Sequence, residues 1–126
     1  MNDCPFCKIL KESEREFIYS GENFRAFFDL YPVNEGHTLL IPRRHINNIE
    51  QLNSAEKDEL SEALLKVRSE LLARFDPDGI NIGLNEGEAA GQTINHLHWH
   101  IIPRHTGDVD DPTGGVRGVI PSKQKY

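Results

Sequence analysis

Gly91–His105 reads GQTINHLHWHIIPRH, with His96, His98 and His100 at every second position and Leu97, Trp99 and Ile101 between them. In an extended chain, residues two apart point to the same face. The spacing predicts a strand over Ile94–Pro103. Its histidines line one side, and its apolar residues line the other, where a helix can cover them. Three of the six histidines of this 126-residue chain stand in this one alternation. Thr, Lys or Glu would serve a merely solvated face equally well, so the alternation points to chemistry.

The other elements follow outward from this strand. PFCKILKES reads as a short helix with Pro5 in its first turn. EFIYS and NFRAFFD read as two strands parted by the turn residues GEN, HTLLIP as a strand closed by Pro42, and INIGLN as a half-buried strand. Asn53–Phe75 is the clearest helix, because Leu60, Leu64, Val67, Leu71 and Phe75 recur on one face. Asn53 with Glu56 has the form of a capping pair, and DPDG ends the helix. The tail from Thr106 is rich in Gly, Pro and Asp and reads as irregular, with Val116, Val119 and Ile120 able to dock. Strands outnumber helices and their connections are short. The expected class is therefore α+β, an antiparallel sheet with the long helix on one face.

The totals exclude several functions. A chain of 126 residues suits one domain and needs no disulfide staple. Fourteen Lys plus Arg against twenty Asp plus Glu give a net charge of −6, which disfavours nucleic acid and anionic membranes as partners. MNDCPFCKILKE lacks an apolar signal core, and no run is long enough to span a bilayer, so the expected compartment is the cytoplasm. There two cysteines stay reduced or bind metal more often than they form a disulfide.

Two chemical readings of the triad remain open at this point. The three rings could all bind one metal, but the third lies a further ~6.6 Å along the strand, which strains such a site. Alternatively, imidazole, with its pKa near neutrality, acts on a phosphate. The preceding GEAAGQT favours the second reading. Its glycines let backbone N–H groups approach an anion, and Gln92 and Thr93 add donors.

HLHWHII, AFFDLYPVNEGHTLLIPRRHI and NEGEAAGQT together resemble the histidine triad (HIT) family of nucleotide phosphohydrolases and transferases, over roughly Cys4–His105. The resemblance implies a HIT domain over residues 1–105 and a C-terminal tail over 106–126. It implies a five-stranded antiparallel sheet with a long helix and a short N-terminal helix, extended to ten strands in a homodimer. Its residue assignment makes His98 the nucleophile on the α-phosphate, with His100 and His37 on the phosphate and leaving group. Thr93, Gln92 and Asn85 would hydrogen-bond phosphate oxygens or the leaving atom, and Asp29, with Leu30 beside it, would bind the ribose. Phe6, Ile9 and Phe27 would line the base pocket, although their residue types alone fit core packing. The implied substrate is a purine nucleotide, an AMP or GMP derivative.

Cys4-x-x-Cys7 admits three readings: a redox pair, two unrelated buried thiols, or half of a zinc site. Nothing precedes it that could form the βαβ setting of a redox motif. Some bacterial members of the family, and the related galactose-1-phosphate uridylyltransferases, hold zinc between such a pair and two histidines. The resemblance thus implies a structural zinc on Cys4, Cys7, His45 and His96. The expected activity is hydrolysis of a nucleotide phosphoramidate or phosphoanhydride through a nucleotidyl-histidine. Transfer to phosphate, as in a dinucleoside polyphosphate phosphorylase, and a nucleotide-binding regulatory role are the alternatives.

Overall fold

A computed structural model describes residues 3–125. Among these, five strands form one antiparallel sheet: β1 (Tyr19–Ser20), β2 (Phe24–Phe28), β3 (Thr38–Pro42), β4 (Gly79–Leu84) and β5 (Trp99–Arg104). Their order is β1-β2-β3-β5-β4, so the last strand lies between β3 and β4. The expected α+β fold is the one observed.

Each face of the sheet is closed by a different helix. Helix α2 (Ser54–Phe75) lays Ala63, Val67 and Leu71 against Phe24, Ala26, Leu40, Leu97, Trp99 and Ile101. On the opposite face, Phe6 and Ile9 of α1 (Pro5–Leu10) pack with Phe27, Leu39 and Ile41. Burying one such side chain contributes ~1.5–3 kcal/mol, so the two clusters outweigh any single polar contact on the surface.

Helix α2 starts where the capping pair predicts. Asn53 Oδ1 accepts from the Glu56 N–H at 2.9 Å, and Glu56 Oε1 accepts from the Asn53 N–H at 2.8 Å. Asp76 ends the helix in the left-handed region, at φ 46°. Glu56 is also buried beneath Arg44, which donates Nε–H and Nη2–H to its two oxygens at 2.9 and 2.8 Å. Arg44 is held there because a buried carboxylate demands a partner.

Two expectations need correction. The ladder of the last strand begins at Trp99, not Ile94. Upstream, the His96 N–H turns back to Ile94 O at 2.9 Å, and the Leu97 N–H bonds Ile46 O at 2.7 Å, beyond the end of β3. The side-chain alternation persists although the ladder does not: Leu97, Trp99 and Ile101 still reach the α2 cluster. EFIYS contributes only Tyr19–Ser20 to the sheet. Asp108, exposed in the loop after β5, accepts from Arg104 Nε and Nη2, from the His105 N–H and from Asn34 Nδ2, all within 3.0 Å. In the tail, 3₁₀ turns at Gly115–Val119 and Pro121–Lys123 follow, with Val116, Val119 and Ile120 exposed.

Candidate active site and metal cluster

The three alternate histidines meet two different surroundings. His98 is buried, and its ring stands edge-on to Phe6 of α1, with centroids 5.0 Å apart. Its Nδ1 lies 2.7 Å from the carbonyl of His96. A carbonyl only accepts, so Nδ1 carries the ring proton and Nε2 keeps its lone pair. His100, paired with Leu39 of β3 and Gly83 of β4, lies on the same face, its ring 5.1 Å from that of His98.

His37 reaches this face from the turn that enters β3. Gly36 makes that turn possible: its φ is +86°, and a Cβ there would stand 2.8 Å from the Phe75 ring. His37 Nε2 lies 2.9 Å from His100 Nδ1 and 3.6 Å from Asp29 Oδ2. Asp29 Oδ1 accepts from the Tyr31 N–H at 3.0 Å. A cavity of about 270 Å³ opens beside this group, lined by His37, His100, Asn85, Ile82, Ile102 and Val116 among others. Burial pushes His37 and His100 below the usual histidine value, His100 to about 4, with the neighbouring histidines adding to the shift at His100. Both are neutral at pH 7.

His96 faces the other way. Its Nε2–H donates to Pro42 O at 2.9 Å, which leaves the lone pair on Nδ1. That nitrogen lies 3.5 Å from Cys4 Sγ and 3.6 Å from Cys7 Sγ, and His45 Nδ1 lies 3.2 Å from Cys7 Sγ. The four ligand atoms all lie within 4.8 Å of one another. Burial and the adjacent Cys4 raise the Cys7 pKa. Two sulfurs, two nitrogens and a fixed tautomer at His96 make a donor set that fits a tetrahedral ion such as zinc.

The remaining candidates divide. Asn85 lines the cavity beside His100. Gln92 instead ties loops together: its Oε1 accepts from the Gly87 N–H at 2.8 Å, and its Nε2 donates to Asn47 Oδ1 and Ile94 O. Thr93 is exposed and lines a separate recess with Cys4, His45 and Asn95. Phe6, Ile9 and Phe27 are buried in the α1 cluster, whereas Leu30 is 61% exposed. Sequence reasoning missed Ile82, Ile102 and Val116 as cavity walls. Ile102 was within reach of it, being two residues beyond His100 and therefore on the same face. A larger cavity of about 550 Å³ lies between the start of β4 and the tail, and none of the triad lines it.

A family profile described as HIT domain matches residues 10–107. The chain belongs to the HIT family. An uncharacterized HIT-like protein of Methanocaldococcus jannaschii is 41% identical, over 83% of this chain and 81% of its own length. The AP-4-A phosphorylase of Mycobacterium tuberculosis is 36% identical over 93% of this chain and 62% of its own length. Among solved HIT structures, one from Bacillus subtilis superposes with a TM-score of 0.77 at 36% identity, covering 84% of this chain and 76% of that one. A Zn-bound histidine triad protein of Mycobacterium smegmatis gives 0.75 at 32% identity, covering 85% and 78%. Among the described residues of this HIT chain, no helix is long and apolar enough to cross a membrane.

Proposed function

We propose that this protein is a nucleotide hydrolase that cleaves a leaving group from the α-phosphate of a purine nucleotide, an AMP or GMP derivative. The observation that carries this reading is the His98 Nδ1–H bond to His96 O, which leaves Nε2 as a lone pair, with the ring of His100, a wall of the cavity, 5.1 Å away. Nε2 attacks phosphorus, and the bond to the leaving group breaks with its electron pair. The leaving group takes up a proton from solvent. The resulting nucleotidyl-histidine is cationic, and its Nδ1–H points at the His96 carbonyl, which stabilises that charge. Water then attacks phosphorus, the P–N bond breaks, a proton goes to solvent and the neutral ring is restored.

Around this step, Asp29 holds the ribose hydroxyls with its remaining lone pairs, beside Leu30. The base rests against the edge of the Phe6–Ile9–Phe27 cluster. Asn85 donates to phosphate oxygens, while Gln92 shapes the loop that carries Thr93, which lies at the separate recess beside Cys4 and His45. Cys4, Cys7, His45 and His96 hold a structural zinc that anchors α1 against the sheet; the fit of the four donors and the Zn-bound relative support this. The domain comprises residues 1–105, with 106–126 as a tail. Two copies pair into a ten-stranded sheet, because β1 and β4 both end the sheet with an unpaired side.

A second reading, transfer of the nucleotidyl group to phosphate, draws support from the AP-4-A phosphorylase relative. Turnover of adenosine phosphoramidate and diadenosine tetraphosphate, with and without added phosphate, separates the two. Products formed only in the presence of phosphate would replace hydrolysis by phosphorolysis. Absence of any labelled His98 on rapid quench would overturn both.

A further inference from the structure

Arg25 of β2 and Arg43, the residue after β3, converge on one hydroxyl. Arg25 Nε–H donates to Ser20 Oγ at 3.0 Å, and Arg43 Nη2–H donates to the same oxygen at 3.2 Å. Each guanidinium is also fixed from behind. Arg25 Nη1–H donates to Leu10 O, the last carbonyl of α1, at 2.8 Å, and its Cζ lies 4.2 Å from the centroid of the Phe17 ring. Arg43 Nε–H donates to Gly21 O at 2.9 Å. Among the described residues neither forms an ion pair with a carboxylate, although twenty acids stand against fourteen bases in the chain. Partial burial and the neighbouring Arg25 pull the Arg43 pKa below the usual arginine value. Glu59, already bound to Tyr19 Oη and to the Asn23 N–H, offsets this only in part. A serine hydroxyl neutralises no charge, so two like charges are held side by side around a neutral oxygen. Ser20 and Arg43 are exposed, near the sheet edge formed by β1.

We propose that Arg25, Arg43 and Ser20 form a receptor for a phosphoryl group, carried either as an ester on Ser20 Oγ or as free phosphate. The ligand class follows from number and shape. Two guanidinium forks, one from β2 and one from the end of β3, surround one point, which suits a tetrahedral anion with three acceptor oxygens. A carboxylate has two coplanar oxygens and saturates a single fork. A phosphoryl group carries about −1.5 to −2 charges at pH 7, which matches the two positive charges. For the ester, a protein kinase forms the Oγ–P bond as the bond from the γ-phosphorus to a nucleoside diphosphate breaks, and the hydroxyl proton passes to the kinase's base. For free phosphate, the Ser20 oxygen still faces the arginines and its proton is donated to the anion. Either form bears on α1, because Arg25 also holds Leu10 O, and its Phe17 partner stands edge-on to Phe27 of the α1 cluster, with centroids 6.4 Å apart. Arg25 lies toward the opposite end of β2 from Asp29, and the receptor is independent of the nucleotidyl-histidine reading.

Two arms test this and separate the two sources. In the first, inorganic phosphate is titrated into the full-length protein while the Nε–H resonances of Arg25 and Arg43 are followed by ¹⁵N NMR. These signals are local to the two side chains, so phosphate seated among the histidines is read apart from them. Both should shift saturably, with affinity weakened about tenfold or more in Arg25→Gln and in Arg43→Gln. Lys66→Gln, on α2 across the sheet, should leave that affinity unchanged. In the second arm, phosphoserine is installed at position 20 of the full-length chain. Its second ionisation, read by ³¹P NMR, should fall below the ordinary value of about 6, and Tm at pH 7 should rise above that of the unmodified protein. Both effects should vanish when Arg25→Gln and Arg43→Gln are combined. A response to free phosphate supports the anion as ligand, and a response in the second arm alone supports the ester. No shift at either arginine with phosphate, together with an ordinary phosphoserine ionisation, would overturn the proposal.

Discussion

His96 and His98 are two residues apart on one stretch of chain, yet they belong to different chemistries. At His96 the ring nitrogen facing Pro42 O holds the proton, so the free nitrogen looks at two sulfurs. At His98 the proton is held by His96 O, so Nε2 keeps its lone pair beside His100. The difference lies in which ring nitrogen the backbone occupies, since residue type and period are the same at both positions. One residue, His96, therefore serves both regions: its side chain joins the sulfur cluster while its carbonyl sets the tautomer of His98.

The largest expected effect breaks the cavity half alone. His98→Ala should lose at least ~10³-fold in turnover and all acid-labile nucleotidyl label, while zinc content stays at that of wild type. A variant that keeps its rate within tenfold, or that loses its metal, means the triad is divided differently.

Breaking the other half should be the next largest perturbation. Cys4→Ser or His96→Ala should lower the zinc content measured on protein purified without chelator. It should also lower Tm by roughly 10 °C or more, because structural zinc contributes much of the stability of small domains. Nucleotide affinity should weaken as well, since Cys4 and Cys7 flank Phe6, whose ring abuts His98. Undiminished affinity in a zinc-free variant would separate the two regions that the structure joins.

Acid should single out the cavity half. Burial lowers the His100 pKa to about 4 from the usual 6.5. Above pH 6.5 the ring is neutral in both folded and unfolded chains, and its contribution to stability is complete. Between 6.5 and about 4 the unfolded chain takes up a proton that the folded one refuses, so stability falls as pH falls. In zinc-free Cys4→Ser protein, where metal release cannot contribute, Tm should still drop by roughly 5 °C across that window. A flat melting profile there would show that His100 is not held neutral.

The smallest effect is expected on the far side of the sheet. Asn53→Ala removes the α2 cap and should cost about 1 kcal/mol in denaturant unfolding. Zinc content and His98 labelling should not change. Movement of either would mean that α2 bears on the site through the sheet.

Much of this was legible in the chain itself. Alternation over Leu97–Ile101, the apolar stripe from Leu60 to Phe75 and the Asn53–Glu56 pair predict their elements because periodicity and capping are local properties. The triad and its loops point to the HIT family, and the family profile shows that membership. Roles that depend on long-range hydrogen bonds were out of reach. Nothing near Gln92 in sequence shows that its amide ties Gly87 to Asn47, nor does Arg44 announce the buried Glu56. The end of the β5 ladder at Trp99 depends on Ile46, some fifty residues earlier in the chain, taking the Leu97 N–H. Residue type and spacing thus determine that three imidazoles share a face. Only the tertiary structure decides which nitrogen of His96 and of His98 is free, because that depends on the carbonyls of Pro42 and His96, and a peptide C=O looks the same at every position of a sequence.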